Sequence, residues 1–507
     1  LNIELDDLIP DYLSLRYNFI NKTDAVKKIH CPTSIQDIKE AKLRLIYEEL
    51  FIFMLKINYL KYLKTNITEK TPKICDKLEV QNFLSSLPFE LTKDQMSAVT
   101  EIYNDMTSEK RMNRLICGDV GSGKTIVGVI AVYISYLSNC QSALLAPTEI
   151  LAKQHYENIT KLFSGTNLKT ALLLGSTKKK EKESILADLS SGKIDLLIGT
   201  HAILNEKVNF KNLGLVITDE QHRFGVNQRE TLRNKGSLPD ILYMSATPIP
   251  RTYALTIYGD MDISLIKTKP SGRKEIKTII KDEKEIKSVL YLMLEELKKK
   301  HQIYVVSPLI EENDSLDLTP VTELKTKMDL AFNNKVNIGL LHGKLTKEEK
   351  ETVMNDFISG KTKVLVSTTV IEVGVDNPNA TMMVIFNADR FGLATLHQLR
   401  GRIGRNSLES TCILIGSEKN ERLNVLASSS DGFYITEKDY EMRKEGDIFG
   451  VRQSGDMSFK IADIKRDFKV LIRAKEDSLE FLEKNDKNIF KNDEKYIKII
   501  KEIESLD

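Results

Sequence analysis

Gly118-Asp119-Val120-Gly121-Ser122-Gly123-Lys124-Thr125 decides the reading of this 507-residue chain, because its G-x-x-x-x-G-K-T spacing suits a loop that wraps phosphates. Glycines let backbone N–H groups converge on phosphate oxygens, Lys124 can reach the outer phosphates, and the Thr125 hydroxyl can join the shell of a Mg²⁺. The flanks agree with this. Arg114-Leu115-Ile116-Cys117 reads as a short buried strand and Ile126 to Leu137 as an apolar helix, so the loop falls where a helix N-terminus favours anions. The spacing predicts a nucleoside-triphosphate site held by Gly118, Gly121, Ser122, Gly123, Lys124 and Thr125.

The length leaves room for roughly three domains with well-buried cores. Lys+Arg of 74 against Asp+Glu of 72 gives a net charge of +2, so a polyanion must be held by a local basic surface or by neutral contacts to its phosphates. Cys31, Cys75, Cys117, Cys140 and Cys412 form no C-x-x-C pair and no zinc or disulfide framework, which fits a reducing, cytosolic setting. The chain opens Leu1-Asn2-Ile3-Glu4 without an initiator Met, a basic leader or an apolar stretch, so no signal peptide is expected and a fragment of a longer protein is. Thr125 to Thr148 carries no charge and is the one stretch that resembles a membrane span. Ser135, Ser138, Asn139, Gln141 and Ser142 interrupt it, and it divides into a helix and a strand buried in an α/β domain.

Residues 1 to about 80 read as helical, with Ile35 to Leu63 an amphipathic run carrying Ala41, Leu43, Leu45, Ile46, Leu50, Phe51, Phe53, Met54 and Leu55. From Leu115 to Leu265, short apolar runs such as Ser142–Ala146, Asp195–Gly199 and Leu213–Ile217 alternate with helical segments, the pattern of a parallel sheet covered by helices. Pro270-Ser271-Gly272-Arg273 punctuates the chain. The alternation then restarts at Ile303–Val306, Val336–Leu341, Val364–Ser367 and Met382–Ile385, predicting a second α/β domain without its own phosphate loop. A Lys-rich helical region from about Asp463 to Asp507 reads as solvated helix surface.

Thr218-Asp219-Glu220-Gln221-His222 ends the run Leu213–Ile217, which places two carboxylates where ligands sit in open α/β sheets. Asp219 is assigned to Mg²⁺ with Thr125, and Glu220 to the attacking water. In the second half, His397-Gln398-Leu399-Arg400-Gly401-Arg402-Ile403-Gly404-Arg405 sets arginines among glycines, and Arg402 and Arg405 are the expected fingers on the transferring phosphoryl group. Lys124, Asp219, Glu220, Arg402 and Arg405 thus form the expected catalytic set, with a nucleoside triphosphate and Mg²⁺ as cofactors.

From Phe89 to Gly455 these motifs, in this order, resemble superfamily 2 helicases. Phe89-Glu90-Leu91-Thr92-Lys93-Asp94-Gln95 resembles the element that reads adenine, which implies ATP as the nucleotide cofactor and Phe89 and Gln95 as cofactor residues. Ala146–His155 and Gly199-Thr200-His201-Ala202 resemble strand-tracking motifs, and Ser245-Ala246-Thr247-Pro248 the link between hydrolysis and strand binding. In the second domain Leu341-His342-Gly343 and Ser367–Asp376 complete the set, with Gly374 and Asp376 implied at the nucleotide. The resemblance implies DNA contacts at Thr148, Gly199, Thr200, His201, His342, Thr368 and Thr369. Neutral hydroxyls at strand ends suit a grip on a phosphate backbone that reads no sequence.

Asp219-Glu220-Gln221-His222-Arg223-Phe224-Gly225-Val226-Asn227-Gln228-Arg229 resembles the signature of the RecG family of branched-DNA helicases, and Asp431–Asp439 with Gly450–Gly455 its translocation motif. Arg443 and Gln453 are the DNA contacts implied there, although Arg443-Lys444-Glu445-Gly446 departs from the family's Arg-Gly-Pro-Gly. The resemblance implies two tandem RecA-like α/β domains, with an N-terminal helical segment and a C-terminal helical hairpin. The expected division is 1–84 as a helical segment after an absent wedge domain, 85–268 and 269–417 as the two motor domains, and 418–507 as the translocation element. It further implies action on branched double-stranded DNA in recombination and repair, a single-strand DNA-binding protein as partner, a monomeric state, and a bacterial cytoplasmic, nucleoid-associated location without membrane contact. The alternatives are the motor module of a transcription-repair coupling factor and an ATP-dependent RNA helicase. From another class, a scaffold that binds DNA without hydrolysis is disfavoured by the intact catalytic set.

Overall fold

The computed structural model of the chain describes residues 5–66, 70–220, 231–232, 235–248, 261–270, 274–308, 319–369, 377–404, 406, 408–442, 459–464, 466–485 and 496–497. The first sheet holds β1 (Asn113–Gly118), β2 (Gln141–Leu145), β3 (Thr170–Leu173), β4 (Leu196–Gly199), β5 (Leu213–Asp219), β6 (Asp240–Ser245) and β7 (Asp262–Ile266), in the order β3-β4-β2-β5-β6-β1-β7. Its pairs from β3 through β1 are parallel. The second sheet holds β8 (Lys277–Lys281), β9 (Gln302–Val306), β10 (Ile338–Leu341), β11 (Val364–Ser367), β12 (Ala380–Ile385) and β13 (Thr411–Ile415). Its order is β10-β11-β9-β12-β13-β8, parallel throughout. Both lobes have the RecA-like architecture implied by the resemblance.

Helices cover both faces of each sheet, which is why the strands are unbroken apolar runs. In β2, Leu144 packs with Ile116, Ile130 and Ile217 on one face, while its neighbours Ala143 and Leu145 pack with Leu197 and Val216 on the other. In the second lobe β9 divides in the same way, Tyr304 and Val306 to one core and Ile303 and Val305 to the other. The uncharged run resembling a membrane span is the helix Lys124–Leu137 followed by β2. The helix is apolar all round because β-strands and other helices bury it, and at 14 residues it is too short to cross a bilayer of about 30 Å. Among the described residues no helix is long and apolar enough to cross a membrane.

A buried ion cluster pins Lys70 and Lys73 to the first lobe. Asp240, at the start of β6, takes Lys70 Nζ at 2.6 Å, Lys73 Nζ at 2.5 Å and the Met112 N–H at 2.8 Å. All three side chains are buried. Removing the single anion strands two ammonium groups in a low-dielectric interior. Asp240→Asn is therefore expected to cost about 3–5 kcal/mol, read as a lowered urea-unfolding midpoint; an unchanged midpoint would show the cluster to be solvated.

A separate compact unit gathers N-terminal and C-terminal helices. The long helix Ile35–Asn66 packs against Phe468–Lys484, with Tyr47 Oη donating to Asp477 Oδ2 at 2.5 Å and Asn58 Nδ2 to Ser478 Oγ at 2.6 Å. Arg44, fully buried, is paired with Asp7 and Glu48. The expectation that the Lys-rich C-terminal region is solvated surface needs correction here. Leu471, Ala474 and Phe481 repeat at helical spacing and bury one face, which the charge count conceals.

Candidate active site

The phosphate loop joins the carboxyl end of β1 to the helix Lys124–Leu137, as the spacing predicts. Gly123 adopts φ 79°, a left-handed conformation that a side chain disfavours, and a Cβ there would collide with Gln95 Nε2. Gln95 closes a capping box with Thr92 on the helix Lys93–Met106, and its Nε2 donates to the Ser122 carbonyl at 2.8 Å. Gln95 thus braces the loop, while Phe89 is exposed. Lys124 Nζ donates to the Gly118 and Asp119 carbonyls, each at 2.9 Å, tying the two ends of the loop together. Burial pushes its ammonium pKa down, against the opposing charges of Glu220, Asp219 and Asp119.

Parallel register brings the other groups to the same edge. Cys117 pairs with Ser245 and Asp219 with Met244, so β1, β6 and β5 end at one level. Asp219 Oδ2 lies 2.9 Å from His155 Nε2, on the helix Glu149–Leu162 that follows β2. Burial works to raise the Asp219 pKa, but the His155 hydrogen bond and charge, with Lys124, outweigh it and hold the carboxyl below its ordinary value. Glu220 goes the other way. Burial first, then the Asp219 charge, pushes its carboxyl up despite Lys124, the Ala246 N–H and Arg402. Two adjacent carboxylates with opposed shifts are the arrangement expected where one is held as an anion and the other handles a proton. Glu220 also has φ 50°, a conformation that costs a non-glycine residue about 1–3 kcal/mol and persists only when its surroundings enforce it.

The second lobe supplies Arg402, nine-tenths buried and near enough to act on Glu220. Gln398 Nε2 donates to Thr247 Oγ1 at 3.2 Å, and Lys153 Nζ of the first lobe lies 3.3 Å from Glu351 Oε2 of the second. Arg400, from the same run as Arg402, is structural: it donates to the Leu426 and Ser429 carbonyls at 2.7 and 2.8 Å. Sequence reasoning missed two pairings, His155 with Asp219 and His397 with Asp119, the latter at 2.6 Å. The only linear signal was that both histidines fall inside motifs.

The residues fit a nucleotide and a hard cation. Ser122 Oγ, within the phosphate loop, is buried without a hydrogen-bond partner in the chain. Thr125 and Asp219 offer hard oxygens, and among the described residues no group of three or more His, Cys, Asp or Glu could hold a metal unaided. Magnesium in such a setting takes most of its ligands from phosphate and water.

The residues expected to touch DNA are placed less uniformly. Thr148 caps the helix Glu149–Leu162, its Oγ1 accepting the Leu151 N–H at 3.3 Å. Gly199 ends β4 where a Cβ would strike the Leu173 carbonyl, so close packing accounts for its glycine. Thr200 Oγ1, Thr368 Oγ1 and His342 Nδ1 are buried without hydrogen-bond partners, whereas His201 is exposed and Thr369 half-buried. Gly374, Asp376, Arg405, Arg443 and Gln453 lie outside the described residues, as do 221–229 of the signature.

Known proteins similar to this chain are helicases. Family models match for DEAD/DEAH box helicase over residues 92–256, helicase conserved C-terminal domain over 284–407, and ATP-dependent DNA helicase RecG, domain 3, C-terminal over 429–506. The ATP-dependent DNA helicase RecG of Bacillus subtilis (strain 168) is 46% identical over 478 residues, covering 94% of this chain and 70% of that protein. Its counterpart in Staphylococcus aureus (strain NCTC 8325 / PS 47) is 45% identical over 487 residues, covering 95% and 71%. A solved structure of RecG bound to a three-way DNA junction superimposes with a TM-score of 0.75 at 42% identity, over 92% of this chain and 62% of that one. The DUF1998 helicase MrfA bound to DNA shares the fold alone, at a TM-score of 0.52 and 20% identity over 74% of this chain and 54% of that one. The chain belongs to the RecG family of ATP-dependent DNA helicases.

Proposed function

We propose that this chain is a motor that couples ATP hydrolysis to movement along double-stranded DNA and so remodels branched DNA, at stalled replication forks and Holliday junctions. The observation that carries the reading is the contact of the two lobes at the site, where Gln398 Nε2 of the second, four residues before Arg402, donates to Thr247 Oγ1 of the first at 3.2 Å. A site assembled from two lobes can turn over only as they close, which links chemistry to motion. Bound ATP with Mg²⁺ supplies the phosphoanhydride bond and the neutralising charge. Lys124, Thr125 and the loop N–H groups bind the phosphates, His155 orients Asp219 toward the cation, Glu220 positions and deprotonates water, and Arg402 with Arg405 offsets charge on the phosphoryl group.

The DNA grip on this reading combines His201, His342, Thr369 and the hydroxyls of Thr148, Thr200 and Thr368 with Gly199, Arg443 and Gln453. Phe89, Gln95, Gly374 and Asp376 complete the nucleotide site. Residues 1–84 form the helical lead-in, 85–268 and 269–417 the motor lobes, and 418–507 the translocation element. Work as a monomer, contact with a single-strand DNA-binding protein and a place at the bacterial nucleoid belong to the same reading, which also fits the TM-score of 0.75 to junction-bound RecG.

The test compares ATP hydrolysis in the presence of a three-way junction, linear duplex, single-stranded DNA and RNA. Junction and duplex are expected to stimulate hydrolysis by about tenfold or more, the order of effect that completing a catalytic constellation brings. Stimulation by RNA alone would overturn the DNA assignment.

A further inference from the structure

Asp119 is not required by the G-x-x-x-x-G-K-T spacing, yet it is 3% exposed and is the most heavily engaged side chain of the loop. His397 Nε2, from the second-lobe helix Leu393–Arg400, lies 2.6 Å from Asp119 Oδ1, and Lys269 Nζ, from the segment between the lobes, 2.9 Å from Oδ2. Oδ1 also accepts the Val120 N–H at 2.7 Å. Burial raises the pKa of this carboxyl, but His397 and Lys269 more than offset that and hold it well below the usual range. The other ring nitrogen, His397 Nδ1, faces Arg400 Nη2 at 3.1 Å. A guanidinium only donates, so Nδ1 accepts and Nε2 carries the hydrogen given to Asp119.

Two close approaches extend this link. A Cβ on Gly401 would stand 2.8 Å from Val120 Cβ, so the second lobe also rests directly on the next loop residue. A Cβ on Gly432, the first residue of the helix Gly432–Met442, would stand 2.7 Å from His397 Nε2 and 2.9 Å from both Asp119 Cγ and Pro248 Cγ. That helix is therefore seated on the Asp119–His397 pair itself. Arg400 holds the seat from behind, through the Leu426 and Ser429 carbonyls just ahead of the helix.

We propose that Asp119 and His397 are a positioning pair that passes displacement of the phosphate loop to the helix Gly432–Met442, coupling hydrolysis to DNA movement without taking part in hydrolysis. The proposal rests on the motor reading above. A loop shift moves Asp119, the buried pair resists separation, and the helix packed against both partners moves with them. Gly432 makes the seat possible because no side chain intervenes.

The test uses the full chain with His397→Ala, His397→Gln and Gly432→Ala, measuring kcat and KM for ATP and base pairs unwound per ATP on a three-way junction. In His397→Ala the yield per ATP is expected to fall about tenfold or more while KM for ATP stays within about threefold, the split of a positioning role. His397→Gln keeps an N–H within reach of Asp119 and is expected to restore about half of the yield or more. Gly432→Ala should reproduce the loss, since its Cβ displaces the histidine. Full yield per ATP in His397→Ala, full yield in Gly432→Ala, or no rescue by glutamine overturns the proposal. Loss of ATP binding in both histidine variants makes the pair a structural brace and overturns it too. If the junction fails to stimulate hydrolysis by the unmodified chain, the motor reading itself falls and takes the proposal with it.

Discussion

Lys124→Ala is expected to lower junction-stimulated ATP hydrolysis by roughly 10²–10³-fold, the scale seen when one preorganised electrostatic donor is removed from a transition state. Two effects add in the same direction. The ammonium ties Gly118 to Asp119 by two hydrogen bonds of 2.9 Å, so its loss loosens the loop that must present N–H groups to phosphate. It also opposes the upward shift of the Glu220 carboxyl, so without it that group is driven further toward its protonated, inactive form. The pairing of Gln95 with the Ser122 carbonyl and the apolar packing of the helix Lys124–Leu137 remain, so the fold should persist. Steady-state hydrolysis with saturating junction DNA, beside a thermal melt of both proteins, checks this. Activity near the unmodified level with an unchanged melt would remove Lys124 from the chemistry.

The loop, the carboxylate pair and the arginine run were legible because each is local: a strand end and a few residues after it. The parallel sheets were legible for a related reason, since strands buried on both faces are apolar runs with little alternation, as in β2, β9 and β11. The edge strand β8 was not, although β10 at the opposite edge was read within Val336–Leu341. β8, Lys277-Thr278-Ile279-Ile280-Lys281, has lysines at both ends and only partial burial, so it looks like linker. Tertiary pairings were invisible for a simpler reason: Asp119 and His397 are separated by 278 positions and His155 and Asp219 by 64, and no spacing rule reaches so far. Sequence also cannot apportion a residue between two uses. Thr148 is a helix cap and Gly199 a packing glycine, and membership of a motif does not separate those uses from contact with a ligand.

Glu220→Gln is expected to reduce kcat by about 10²–10⁴-fold while leaving ATP binding within a few-fold of the unmodified chain, because on the proposed role it removes a general base without a change of shape. The amide oxygen can still accept the Ala246 N–H that Glu220 Oε2 takes at 3.3 Å, so the strained backbone at φ 50° stays supported. Losing the charge also relieves the repulsion from Asp219 that helps raise the Glu220 pKa, so any effect on the binding of ATP should be small or favourable. Equilibrium binding of ATP beside single-turnover hydrolysis separates the two quantities. The outcome distinguishes Glu220 from its one rival nearby, His155, which lies 2.9 Å from Asp219 Oδ2 and could in principle shuttle a proton. If His155 were the base, Glu220→Gln would keep most of its kcat and His155→Ala would lose it. If His155 only orients Asp219, His155→Ala should instead weaken the response to Mg²⁺, raising the concentration needed for half-maximal rate more than it lowers the rate at saturation.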